Sequence, residues 1–387
     1  MSRFLLVSLN IKGILQETTL HRRREKLGTM INGLGLGDAY DATIGRLKAQ
    51  EGDRARLGMV SLMWISHSER PLKVNEICHA LAVEIGSTDL NPNNIPSIQT
   101  VLSCCQGLAA VDERSSTIRL VHFTVKEYLS DHADLFDRPH STIAETCLTY
   151  LNFQAIKNLS VSHPPNTGGI PSLVDDISRR IRINELSDRT PLLEYSSLYW
   201  GTHMRMELSD CSRYLACDLL DQYDSHVSGE SLCISTTELY SVSFDRFSAL
   251  RCISYFDIVE VAIDLIRTKQ WDVNQKDCEG MTLLMWAARY GREQAVRFLL
   301  KQKHTQPDMT DEHGRTALSW AAESGNEAVV RVFLGPLFIN PGSIGRWRGT
   351  ALVMDRAFRR KYINPNRPDN YGQTPLSWAA ENGHDGL

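Results

Sequence analysis

The sequence has no run of about 18 apolar residues, the length a helix needs to cross a bilayer. No two cysteines stand in C-x-x-C spacing, so neither a zinc ribbon nor a thioredoxin-type redox motif is indicated. No G-x-x-x-x-G-K-[ST] loop is present. Without its backbone amides and its magnesium ligand, phosphoryl transfer lacks its usual machinery. G-x-S-x-G, H-E-x-x-H and the calcium-binding EF loop are also missing, leaving hydrolase and metalloprotease chemistry unsupported. Positive charge is not in excess: Lys+Arg 42 against Asp+Glu 46 leaves −4, which argues against a broadly basic nucleic-acid binder.

What is present is ordinary globular material. The chain has 387 residues, 42% hydrophobic and 23% charged, and room for several domains of about 100–200 residues. Its nine cysteines are odd in number and irregular in spacing, and they read as buried reduced thiols of a cytoplasmic protein. Met1–Leu9 resembles a weak signal peptide, but polar Asn10 and Lys12 end it and no small-residue cleavage site follows. The run His21-Arg22-Arg23-Arg24-Glu25-Lys26 reads as a solvated helix face rather than a nuclear signal.

Three copies of one motif mark the C-terminal end: Asp277–Ala288, Asp311–Ala322 and Asp369–Ala380. Gly280 to Gly314 is 34 positions, as is Trp286 to Trp320, while Gly314 to Gly372 is 58. With a period of about 33, an insertion of about 25 residues separates the last two copies, near 336–365. Each part of the motif has a physical reason. Gly280, Gly314 and Gly372 sit where a turn needs positive φ. Thr282, Thr316 and Thr374 start helices whose free amides their hydroxyls can cap. The Ala pairs allow close helix approach. Trp286, Trp320 and Trp378 read as inter-repeat core in preference to a binding face. The variable turn tips Glu279, Met281, His313, Arg315, Tyr371 and Gln373 are the candidate partner contacts. Asp245–Asn274 reads as a degenerate first copy with one apolar helix through Phe256–Ile266, and the third clear copy reads as truncated at Leu387.

The shared frame D-x-x-G-x-T-x-L-x-W-A-A resembles the ankyrin repeat. That implies a helical solenoid whose partners are proteins. The family's Pro survives only at Pro375, and its His is replaced by Met285, Ser319 and Ser377. Those changes suggest weaker hydrogen-bonded ties between units.

Upstream, Arg54–Ser66, the stripe after Pro71 and the segment from Pro96 to Gly107 read as three helices. Two strand-like runs follow, Leu108–Val111 and Thr117–Phe123, with the turn Asp112–Ser116 between them. Phe123–Tyr128 reads as a helix start capped by Thr124, with Glu127 reaching back and Phe123 stapled onto Tyr128. Three helices and a wing make a winged-helix domain. Its recognition helix, Val74–Val83, offers Glu76 and His79 but no Arg or Lys, so a DNA-binding regulator is only a second alternative. Gly33-x-Gly35-x-Gly37 reads as a loop, and Ser160–Thr190 as a linker.

Gly35–Asp41, Arg70-Pro71-Leu72, Leu120–Leu129, Pro191–Tyr195 and Tyr199-Trp200-Gly201 resemble segments of fungal NACHT–ankyrin proteins, signal-transducing ATPases of the NOD-like-receptor type. The resemblance implies that the chain is the C-terminal portion of such a receptor, lying downstream of the NTPase core. It also implies that His122 is a nucleotide latch, working only with that core; otherwise His122 is a strand-end residue ordering the wing.

The expected architecture is mainly α. It comprises a helical segment (1–50), a winged-helix domain with a small β-wing (51–135), a helical connector (136–240) and an ankyrin-repeat solenoid (241–387). The expected function is non-catalytic protein binding in signalling or an innate-immunity-like response, with no cofactor and no metal. The first alternative is a part of a nucleotide-regulated NACHT ATPase.

Overall fold

The computed structural model describes residues 18–32, 36–159, 189–236, 248–269, 271–277, 279–334, 363–384 and 386. The signal-like start, Gly33 and Gly35, nearly all of the 160–190 linker and most of the 336–365 insertion lie outside them. The described residues are mostly helical, with a single two-stranded sheet among them. They fall into two compact units, residues 1–156 with 181–207, and 157–180 with 208–387.

The first unit begins with α1 (Leu20–Asn32), on which His21, Arg22, Arg24 and Glu25 are exposed. Next comes α2 (Leu36–Lys48), which starts one residue before Gly37. That glycine is therefore helical, not part of a loop. Tyr40, Ile44 and Leu47 bury one face of α2, which packs on α3 (Arg54–His67). Gly58 lets α3 approach α5 (Ile98–Cys104), since a Cβ there would stand 2.7 Å from the Cys104 carbonyl oxygen. Pro96 lies before the helix, and Ser97 is the cap, accepting from the Thr100 amide at 3.1 Å.

The wing is β1 (Ala109–Asp112) paired antiparallel with β2 (Thr117–Leu120), with Ala109 opposite Leu120 and Asp112 opposite Thr117. The segment before α4 (Val74–Ala82) adds to it, because the Ile118 amide donates to the Leu72 carbonyl at 2.9 Å. The following helix, α6 (Phe123–Asp131), starts one residue earlier than expected, and its cap is His122. Phe123 is 67% exposed, so the hydrophobic staple does not form. Tyr128 turns instead to α2, its ring 5.2 Å from that of Tyr40 and its hydroxyl donating to Asp41.

Three further helices complete this unit: α7 (Pro139–Leu151), α8 (Gln154–Lys157, at the unit's edge) and α9 (Leu193–Met206). Ile143, Cys147, Leu148 and Leu151 of α7 are buried, as are Tyr195, Trp200 and Met204 of α9, and the two helices pack together. The residues expected as one connector are thus shared between units, since α10 (Asp210–Leu220) and α11 (Val227–Thr236) belong to the second. There, α10 packs on α13 (Val259–Thr268), and Arg213 forks onto Asp264 at 2.8 and 2.9 Å.

The second unit continues as stacked helix pairs. The first is α12 (Ala249–Phe256) with α13. The second and third are α14 (Leu283–Arg289) with α15 (Glu293–Lys301), and α16 (Ala317–Glu323) with α17 (Glu327–Leu334). The last first-position helix is α18 (Pro375–Glu381). The single apolar helix expected through Phe256–Ile266 is two helices, broken where Asp257 takes φ 61°. The first copy is therefore a full helix pair, with its cap Ser248 lying 34 residues before Thr282.

Candidate protein-binding face of the repeats

Each repeat opens on an aspartate that organises its turn. One carboxylate oxygen of Asp311 accepts from the His313 and Arg315 amides at 2.9 and 2.8 Å, and the other accepts from Trp320 Nε1 at 3.1 Å. Asp277 does the same for Glu279, Met281 and Trp286, and Asp369 for Tyr371, Gln373 and Trp378. Buried carboxylates need such partners. The glycine between them takes φ 71° at Gly280 and 80° at Gly314 and Gly372, the left-handed region the turn requires. Thr282, Thr316 and Thr374 then cap the helices, each accepting from the third helical amide at 3.3 Å.

Ties between repeats come from positions that the sequence reading passed over. Asn326 Nδ2 donates to the Ala288 and Arg289 carbonyls at 2.9 and 2.8 Å. Arg292, 34 residues earlier, donates to the Ser254 and Tyr255 carbonyls. His384, at the matching place in the last repeat, bonds the Glu323 carbonyl at 2.9 Å through Nε2. The expected weakening at Met285, Ser319 and Ser377 is therefore met elsewhere: Ser319 and Ser377 stay within their own caps, and the second turns hold the stack.

The six turn-tip residues divide sharply. Met281 is 1% exposed and belongs to the core. Glu279 pairs with Arg251 at 3.4 Å, and Arg315 pairs with Glu323 at 2.9 Å. Both side chains are mostly covered, so these three are internal, contrary to their assignment as partner contacts. His313 and Tyr371 are exposed, their rings 6.2 Å apart on neighbouring tips, and Gln373 is half-buried beside them. Trp286 is 0% and Trp320 8% exposed, as core residues are.

A ladder of cations and rings runs across these tips and first helices. Arg251 lies 4.7 Å from the Trp286 ring, and Arg289 lies 5.4 Å from Trp286 and 4.5 Å from Trp320. Arg315 lies 4.7 Å from Trp320 and 4.2 Å from Trp378. A guanidinium over an indole face is attracted by the ring quadrupole, by about 0.5–2 kcal/mol. The 34-residue repeat sets the alternation, which no local window of sequence displays.

In the first unit, His122 caps α6. Its Nδ1 accepts from the Thr124 amide at 3.3 Å and meets Thr124 Oγ1 at 2.8 Å, and that hydroxyl meets Tyr40 at 2.7 Å. On the would-be recognition helix, Glu76 is 1% exposed and held by Arg70 at 2.7 and 2.8 Å. His79 meets the Tyr150 hydroxyl at 3.3 Å.

Comparison with known families gives two matches. Residues 250–342 match ankyrin repeats in three copies, a span that takes in the first copy. Residues 48–137 match the winged-helix domain described for GPI inositol-deacylase. Among curated proteins, none matches the chain. No helix among the described residues is long and apolar enough to cross a membrane. The chain thus carries a winged-helix domain of the GPI inositol-deacylase type, followed by ankyrin repeats.

Proposed function

We propose that this chain is a non-catalytic interaction protein of the cytoplasm, whose repeats hold a protein partner on the face formed by the turn tips and first helices. The observation that carries this reading is the pairing of a tied repeat stack with exposed His313 and Tyr371 on adjacent tips. Rigid elements that display a few exposed aromatic side chains suit partner recognition at low ordering cost. Buried Cys78, Cys104, Cys105, Cys147 and Cys252, all free thiols, suit a reducing compartment. The test is affinity for a partner recovered by cross-linking in the source cells. The double variant His313→Ala/Tyr371→Ala should bind at least about tenfold more weakly, as hot-spot truncations do. Unchanged affinity would refute the assignment of binding to these tips.

The second reading places the chain in a nucleotide-regulated NACHT ATPase that acts in signalling or an innate-immunity-like response. The capping geometry favours it to this extent: His122 spends Nδ1 on the helix start. On this reading, Nε2 meets a diphosphate held by an NTPase core. The chain alone should show no saturable ADP binding. Saturable binding lost in His122→Ala would make the nucleotide reading the primary one. The DNA-binding reading has less support, because Glu76 and His79 of the recognition helix are engaged within the unit. A salt-sensitive, sequence-dependent DNA shift lost on Arg114→Glu would restore it.

A further inference from the structure

We propose that Arg289 is an anion-receiving point on this face, and that the partner segment it accepts carries an acidic side chain. The inference rests on the reading of the repeats as a protein-binding face and names the chemistry of what binds there. Three guanidiniums stand in the ladder, and the outer two are neutralised. Arg251 has Glu279, and Arg315 has Glu323. Arg289, between them, is sandwiched by Trp286 and Trp320, with no carboxylate in ion-pair reach among the described residues. The carboxylates of the flanking turns, Asp277 and Asp311, are occupied by indole and backbone donors.

Repeat arithmetic explains why the middle cation lacks a counter-ion. The pair Arg315–Glu323 spans eight residues from turn tip to helix end. Thirty-four residues earlier, the same two places hold Met281 and Arg289. Met281 is buried and neutral, so the helix-end charge is reversed and its partner at the tip is missing. A half-buried cation without an anion keeps part of its desolvation cost, and stacking on two rings offsets only some of it. The two rings also fix the guanidinium plane, so its donors are presented ready for a carboxylate, which they can meet in bidentate fashion. The exposed tips of His313 and Tyr371 bring no negative charge that would repel such a group.

The probe is a fluorescein-labelled hexaglutamate peptide titrated with the full chain, with hexaglutamine as the neutral control. Hexaglutamate should bind saturably, and raised salt should weaken it. Arg289→Gln should weaken it about tenfold, the loss of about 1.4 kcal/mol expected for one charge-assisted contact. Arg289→Lys should recover only part of that, because the planar fork is lost. Arg297→Gln, on the second helix of the same repeat and paired with Glu293, should bind as the parent does. Equal binding of the two peptides, or equal hexaglutamate binding by Arg289→Gln, would overturn the proposal. So would displacement of the peptide by a single-stranded oligonucleotide at lower concentration than by free hexaglutamate, which would assign the cation to phosphate. A recovered protein partner that Arg289→Gln binds unimpaired, but that the His313/Tyr371 double variant loses, would overturn this inference and leave the proposed function standing.

Discussion

At the scale of single residues, the aspartates at the repeat starts carry more of the architecture than the tryptophans they hold. Asp311 accepts three hydrogen bonds, two from turn amides and one from Trp320. Asp311→Ala leaves all three donors without their acceptor in a covered site. The expected loss is about 2–4 kcal/mol, read from the urea midpoint of the repeat transition. Asp311→Asn should cost less, since its carbonyl oxygen can still serve the two amides. Gly58 is the comparable residue in the first unit. Its missing Cβ lets α3 meet the Cys104 carbonyl, so Gly58→Ala forces the helices apart. A loss of about 1–3 kcal/mol is expected from such overpacking, measured by thermal unfolding.

At the scale of elements, the junction of α3, α7 and α9 is built on three histidines. His140 Nδ1 and His203 Nδ1 are 2.9 Å apart, so one hydrogen bond, and one proton, lies between them. His203 Nε2 meets the Tyr195 hydroxyl at 2.8 Å, and the His67 ring sits 5.4 Å from that of His140. Burial, and then the charge of the other two histidines, lowers the pKa of His203 to about 3. Burial also lowers that of His67, where Lys126 and His140 act in the same direction and the Met63 carbonyl and Glu207 oppose. A folded pKa below the unfolded value of about 6.5 means that the unfolded chain binds more protons in acid. Stability is therefore full above about pH 6.5 and is lost as pH falls towards 3. The first unit should lose about 2 kcal/mol between pH 7 and pH 5 on account of His203. His203→Gln should flatten that slope, followed by urea unfolding at each pH. Among the repeats, Asn326 is the matching lever. Asn326→Ala removes two bonds to the preceding helix and should raise hydrogen exchange of α16 and α17 while leaving the first unit unchanged.

At the scale of the whole molecule, the sequence made plain the features that depend on short spacing. The repeat frame, its glycines and capping threonines, and the order of three helices and two strands all come from neighbouring residues. The misreadings share one cause, which is distance along the chain. Phe123 and Tyr128 look like a staple until Tyr40 and Asp41, more than 80 residues earlier, claim Tyr128. Met281 and Arg315 look like free tips until Arg315 is found against Trp378 and Met281 in the core. The break at Asp257 was hidden for a different reason, since an apolar run on both sides masks a single left-handed residue. The face left exposed after these corrections is narrower than the turn tips implied, and it centres on His313, Tyr371 and Arg289.

The most direct measurement of the central claim is hydrogen exchange of the full chain with and without its cross-linked partner. The account predicts protection at the tips around residues 313 and 371 and along α14 and α16, with residues 48–137 unchanged. Protection confined to residues 48–137, with the repeats exchanging as in the free chain, would contradict it.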